Sequence, residues 1–229
     1  MPTERDREIQ DHRELVARRE ARQANRQAVM QCEMCPDLVV SRKKSHWGKP
    51  TYGYGDITSP VMFVGEAPGR DGCSYTGIPF TRDRSGQLYN WVLNYLGTNL
   101  ESVYTTNIVK CWPADKRNNN RTPTDSEVRA CLPHLLNEIR VVRPKKIVAL
   151  GRVPERILRQ TRANNPDMKI LDVPIVYIAH PAFILRKGGN PGSDVAKRYA
   201  NSFISHLGLD ERSRGSATRL DAFMKKAEQ

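Results

Sequence analysis

The chain has 229 residues, 38% of them apolar, enough to form one domain core with extensions. Its 37 Lys and Arg against 25 Asp and Glu leave a net charge of +12, which favours a polyanionic partner, most commonly nucleic acid. No apolar run approaches the roughly 18 residues of a membrane span, the charged start MPTERDREIQDHREL lacks a signal peptide's apolar centre, and five Cys are too few for a disulfide scaffold. The expectation is a cytoplasmic protein with no membrane partner.

Residues 3–31 mix both charge signs and contain no Gly, which predicts a largely exposed helix lying on the body through Ile9, Leu15, Val16 and Val29. Cys32 and Cys35 follow, then an irregular stretch rich in Gly, Pro, Ser and Tyr as far as residue 59. The apolar run 61–64, closed by Gly65, predicts a buried strand. Leu88, Trp91, Val92 and Tyr95 carry helical spacing over 85–96, with Gly97 as the stop. A second strand is expected over 103–109. Thr124-Asp125-Ser126-Glu127 has the form of a capping box, opening a helix that runs to about Val142. A third strand over 146–151 with a short helix after it, a fourth strand over 173–179 and a helix over 193–207 complete the pattern.

Strands alternating with helices predict an α/β fold of three layers, with helices on both faces of a central four-stranded, mainly parallel sheet. The expected organisation is a charged helical extension over 1–31, one domain over 32–207 and a polar tail over 208–229. In such sheets ligands bind beyond the carboxyl ends of the strands. Gly65 and Glu66 stand there after the first strand, Asn107 late in the second and His180 after the fourth.

Four groups of residues could carry chemistry. Cys32 and Cys35 form a CxxC pair, and Cys111 and Cys131 follow after 75 and then 19 intervening residues. Four thiols suit a structural zinc or an iron–sulfur cluster; the lack of a second close pair leans toward the cluster. Cys73 is left over as a plain small side chain. The loop 65–86 is rich in Gly and holds Glu66, Asp71 and Asp83, but no GK[ST] follows, so it is not a phosphate-binding loop of the Walker type. His180 begins the run HPAFILRK, in which apolar residues give way to basic ones. Between Lys110 and Arg121, basic residues surround Asn118, Asn119 and Asn120, a composition that serves phosphate contact and a solvated loop equally well.

Taken together, GEAPG at 65–69, TGIPF at 76–80, NIVKC at 107–111, NRTP at 120–123 and HPAFIL at 180–185 resemble the iron–sulfur uracil-DNA glycosylases of families four and five. The likeness runs from about Cys32 to Leu207. It implies a [4Fe–4S] cluster, structural rather than redox-catalytic, on Cys32, Cys35, Cys111 and Cys131. Glu66 and the HPAFIL loop are closer to family four. The string 80–86, with Asp83 where family five has a catalytic Asp, is closer to family five. Family four has an acidic pair where this chain has Gly72-Cys73. Both candidate carboxylates are therefore present, and the choice between them stays open.

The resemblance implies a DNA glycosylase of base excision repair, acting as a monomer on single- or double-stranded DNA and leaving an abasic site. A glycosylase must extrude its nucleotide from the stack. Phe80 would stack on the flipped base, Asn107 would read its edge, and His180 would bond the base oxygen as negative charge develops. Glu66 or Asp83 would position water and stabilise the cationic sugar. Gly65 and Ala67, through the backbone of their loop, and Asn120 complete the implied binding set. Asp83 also reads as the cap of the helix after it. Uracil is the first expected substrate, with hypoxanthine next. The rivals are a non-catalytic iron–sulfur docking module on DNA and a zinc-bound nucleic-acid adaptor.

Overall fold

The computed structural model describes residues 3–44 and 48–207; the expected polar tail lies outside them. Its centre is a sheet of strands β1 (Tyr54–Gly55), β2 (Val61–Gly65), β3 (Tyr104–Asn107), β4 (Lys146–Leu150) and β5 (Ile175–Ile178), in the order β1-β3-β2-β4-β5. The last four run parallel, and β1 pairs antiparallel with β3. The sheet therefore has five strands where the sequence predicts four. A strand of two residues, Tyr54 and Gly55, has no apolar alternation for a sequence pattern to register.

Strand alternation divides the core in two. Val61 and Phe63 of β2 point into one cluster, with α4 (Arg84–Tyr95) and α8 (Asp194–Leu207). Met62 and Val64 point into the other, with α5 (Asp125–Val142) and α6 (Arg152–Asn164). Successive side chains of a strand face opposite ways, and β2 is buried on both sides, as the centre of a parallel sheet must be.

The capping signals act as written. Thr124 caps α5 reciprocally with Glu127, and Asp83 caps α4. Three short helices escape the apolar pattern: α2 (Pro36–Lys44), α3 (Cys73–Thr76) and α7 (Pro181–Arg186). The longest helix, α1 (Glu4–Gln31), lies along α5, by two of the four expected contacts. Ile9 and Val16 are 43% and 38% exposed, whereas Asn25 and Val29 are buried and Leu15 partly so. The Arg18 guanidinium donates to the carbonyls of Val141 at 2.6 Å and Val142 at 2.9 Å, and also to that of Ile57. The carbonyls at the end of α5 have no partners inside their own helix, so a cation there satisfies both hydrogen bonding and the helix dipole.

Candidate active site

A cleft of about 300 Å³ opens beyond the carboxyl ends of β2, β3 and β5. Its walls are residues 66–69, Cys73, Phe80, Asp83, Ser85, Asn107, residues 120–122, His180 and Ala182. Of the implied site residues only Gly65 is missing from the wall, and it lies directly beneath. A Cβ there would stand 2.3 Å from Asn107 Oδ1 and 2.9 Å from the Phe80 ring, so the two side chains meet over a position open only to glycine.

Phe80 holds a left-handed backbone, φ 51°, a conformation that costs a non-glycine residue energy and clusters at functional sites. Asn90 Nδ2 donates to its carbonyl at 2.7 Å. The ring rests on Tyr89, centroids 4.7 Å apart, and stands 5.7 Å from that of His180. Beside it Asn107 is 3% exposed, and its Nδ2 has no hydrogen-bond partner among the described residues. Buried amides are seldom left so.

His180 caps α7. Its Nδ1 accepts the Ala182 backbone N–H at 3.1 Å, which leaves the ring proton of the neutral form on Nε2. Burial, helped by Arg186, pushes the imidazole pKa down to about 4, so the ring is neutral near pH 7.

Both carboxylates line the cleft. Glu66 sits above the usual carboxylate range because of burial, opposed by a Thr122 hydrogen bond and by Arg156. Asp83 is raised too, again through burial; the N–H groups of Gly86 and Ser85 oppose the shift, and Asp71 adds to it. Asp83 Oδ1 accepts the Gly86 N–H at 2.7 Å, while Oδ2 occupies the space a Cβ on Gly72 would need, at 2.3 Å. The cap reading and the cleft reading of Asp83 hold together, one for each oxygen. Asn120 Oδ1 accepts from Arg70 N at 3.0 Å and Trp112 Nε1 at 2.8 Å, so its side chain clasps two loops across the cleft rim. Cys73, set aside in the sequence, is in the cleft wall, with its thiol pushed up to about 11 by burial. Thr122, Arg121 and Ser85 were also missed; Thr122 stands inside the NRTP string, the one signal that could have found it.

Cys32, Cys35, Cys111 and Cys131 line a separate hollow between α1, α2, the segment that follows β3, and α5. Lys110 N–H donates to Cys131 Sγ at 3.1 Å, and Arg42 Nη1 to the Cys32 carbonyl at 2.6 Å. Among the described residues no three His, Cys, Asp or Glu are grouped as a single metal ion requires. Four soft donors spaced around an apolar hollow suit a larger inorganic body better than one ion with bonds of about 2.3 Å. Burial pushes Cys111 to about 11 and Cys131 to about 12, so thiolates here need a bound cation.

The family model of the Uracil DNA glycosylase superfamily matches residues 52–203. The chain belongs to that superfamily. This uracil-DNA glycosylase superfamily member is 34% identical over 172 residues to the type-4 uracil-DNA glycosylase of Pyrobaculum aerophilum, covering 69% of this chain and 82% of that one. The type-4 enzyme of Thermotoga maritima is 32% identical over 183 residues, 77% and 89% of the two chains. The type-5 uracil-DNA glycosylase of P. aerophilum is 34% identical over 151 residues, 56% and 65%. Among the described residues no helix of this superfamily member is long and apolar enough to cross a membrane.

Proposed function

We propose that the protein is a monofunctional glycosylase that flips uracil out of DNA, hydrolyses its glycosidic bond and leaves an abasic site for base excision repair. The observation that carries the reading is the unpartnered Nδ2 of Asn107, a buried residue that lines the same cleft as Phe80 and a neutral His180.

The steps follow from the side chains. Phe80 offers the flipped pyrimidine a face, and its cost in backbone strain is met by the packing of Tyr89 and by Asn90. Asn107 presents an N–H donor and a C=O acceptor at one edge of the base, the pairing that matches a uracil carbonyl and imide N–H. As the bond breaks, negative charge gathers on the base oxygen, and His180 Nε2–H is free to donate to it; the Ala182 amide holds the ring in that tautomer beforehand. Glu66 positions the attacking water and stabilises the cationic sugar, while Asp83, tied to α4 by one oxygen, adds a second negative charge to the cleft. The four thiols would hold a [4Fe–4S] cluster, which would cross-link α1, α2, the segment after β3 and α5 rather than carry electrons. At the mouth, Phe183 is 46% exposed, with Arg186 and Lys187 over its ring at 5.9 and 5.8 Å, a pairing of apolar edge and cations suited to bases and phosphates. The enzyme acts as a cytoplasmic, nucleoid-associated monomer on single- or double-stranded DNA, with hypoxanthine as its second base.

The non-catalytic docking module has no support: binding alone does not require an orphaned amide and a neutral imidazole in a cleft, and the related proteins carry glycosylase names. The test is base release from matched oligonucleotides carrying uracil, inosine or a normal base, followed by alkali to break abasic sites. Uracil-dependent breaks are expected, falling about 100-fold or more in His180→Ala and more steeply in Glu66→Ala than in Asp83→Ala. A folded, iron-loaded protein that binds DNA and releases no base sinks the proposal.

A further inference from the structure

Behind the cleft lies a buried ion pair that the reaction does not use. The side chains of Lys110 and Glu138 are 1% and 3% exposed and meet at 2.7 Å. Lys110 Nζ spends its three donors on Glu138 Oε2, Thr106 Oγ1 at 2.7 Å and the Asn107 carbonyl at 2.8 Å. Glu138 also accepts from Thr106 Oγ1 at 2.6 Å and from Gly53 N–H at 2.8 Å. The backbone of Lys110 is fixed as well, its N–H on Cys131 Sγ and its carbonyl on Thr51 N–H.

Stability alone does not call for this arrangement, because an apolar pair of similar volume commonly serves a core as well or better. What the pair does locally is fasten the last residue of β3. Asn107 reads with a side chain that has no partner of its own on Nδ2, so its aim depends on the peptide that carries it. That peptide carbonyl is held by a charge-assisted bond, the stronger kind.

We infer that Lys110, locked by Glu138 and Thr106, is a positioning residue that holds Asn107 in register with the flipped base and so sets the preference for uracil. The inference rests on the function above, with Asn107 as reader. The pair acts through Asn107 alone, so removing the pair and removing the Asn107 amide must not add.

The test is binding of the iron-loaded protein to oligonucleotides carrying 2′-fluoro-2′-deoxyuridine or 2′-fluoro-2′-deoxycytidine, whose fluorine resists glycosidic cleavage. Lys110→Met/Glu138→Gln removes both charges together and leaves none buried alone. It is expected to lower the uracil-over-cytosine preference about tenfold, as for loss of one bond to a charged donor, with cytosine-oligonucleotide affinity unchanged. Introduced into Asn107→Ala, the same pair substitution changes the preference by less than about twofold. A preference kept in the folded, iron-loaded variant, or a full additive loss with Asn107→Ala, overturns the inference. Should that variant lose its fold or its iron, Thr106→Val carries the test: a loss of about threefold, again non-additive with Asn107→Ala, supports the role, and an unchanged preference overturns it. A wild type without any preference for uracil overturns the role and the glycosylase reading together.

Discussion

Burial moves His180 and Glu66 in opposite chemical senses. It pushes the imidazole to about 4 and the carboxyl above its ordinary range, so each is drawn toward its neutral form. For His180 the neutral form is the working one, because only Nε2–H is needed. For Glu66 it is the idle one. The acid limb of activity is therefore expected to report carboxylate protonation, with a midpoint above that of an ordinary glutamate, and to move when Glu66→Gln is measured. A pH–rate profile with a limb near 6.5, retained in both Glu66→Gln and Asp83→Asn, would assign it to an ordinary histidine instead. The imidazole also sets acid stability. The unfolded ring takes a proton near 6.5 and the folded one only near 4, so its contribution is complete above 6.5 and is lost as the pH falls through that window. The sequence made these residues recognisable by type. Their protonation and the orphaned amide of Asn107 depend on burial, which local sequence does not report.

Among the elements, those with local signals were legible. The capping box at Thr124 and Glu127 opens α5, and the apolar spacing of α4 and α8 gives their buried faces. Helices α3 and α7 are only 4 and 6 residues long, too short for a 3.6-residue period to establish itself, so their existence depended on tertiary contacts. For α1 the existence of the helix was readable and its docking face only in part: Leu15 and Val29 turn inward, Ile9 and Val16 outward. A strongly charged helix lets its aliphatic residues point either way, and the choice fell to Arg18 on the end of α5. Arg18→Met is expected to destabilise by about 1–2 kcal/mol, a Tm drop of roughly 2–8 °C for a domain of this size. Ile9→Ser and Val16→Ser are expected to stay within about 0.5 kcal/mol. Thermal melts in which Ile9→Ser costs as much as Arg18→Met would restore the apolar docking face.

At the level of the whole molecule, the two sites share one framework. β3 ends in Asn107 at the cleft, and the chain reaches Cys111 at the thiol hollow four residues later. Cys73 stands in the cleft wall, apart from the thiols of that hollow. Iron analysis is therefore expected to give about four iron atoms per chain in wild type and in Cys73→Ser, with most of the iron and the brown colour lost in Cys111→Ala or Cys131→Ala. One zinc per chain and a colourless protein would refute the cluster.

By itself the sequence determined the strand–helix alternation, the caps and the residue types of both sites, because each is written within a few neighbouring positions. It also supplied enough ordered motifs to point to the superfamily. Only the tertiary structure decided that Asp83 can cap α4 and face the cleft at once, since that depends on the space above Gly72. It alone decided that Asn120 clasps loops, that Cys73 enters the cleft wall, and that Lys110 is sealed behind Asn107. The physical reason is common to all of them: burial and hydrogen-bond partners are set by segments that meet in space, and the separation along the chain from Gly53 to Glu138, or from Cys35 to Cys131, carries no local trace of the meeting.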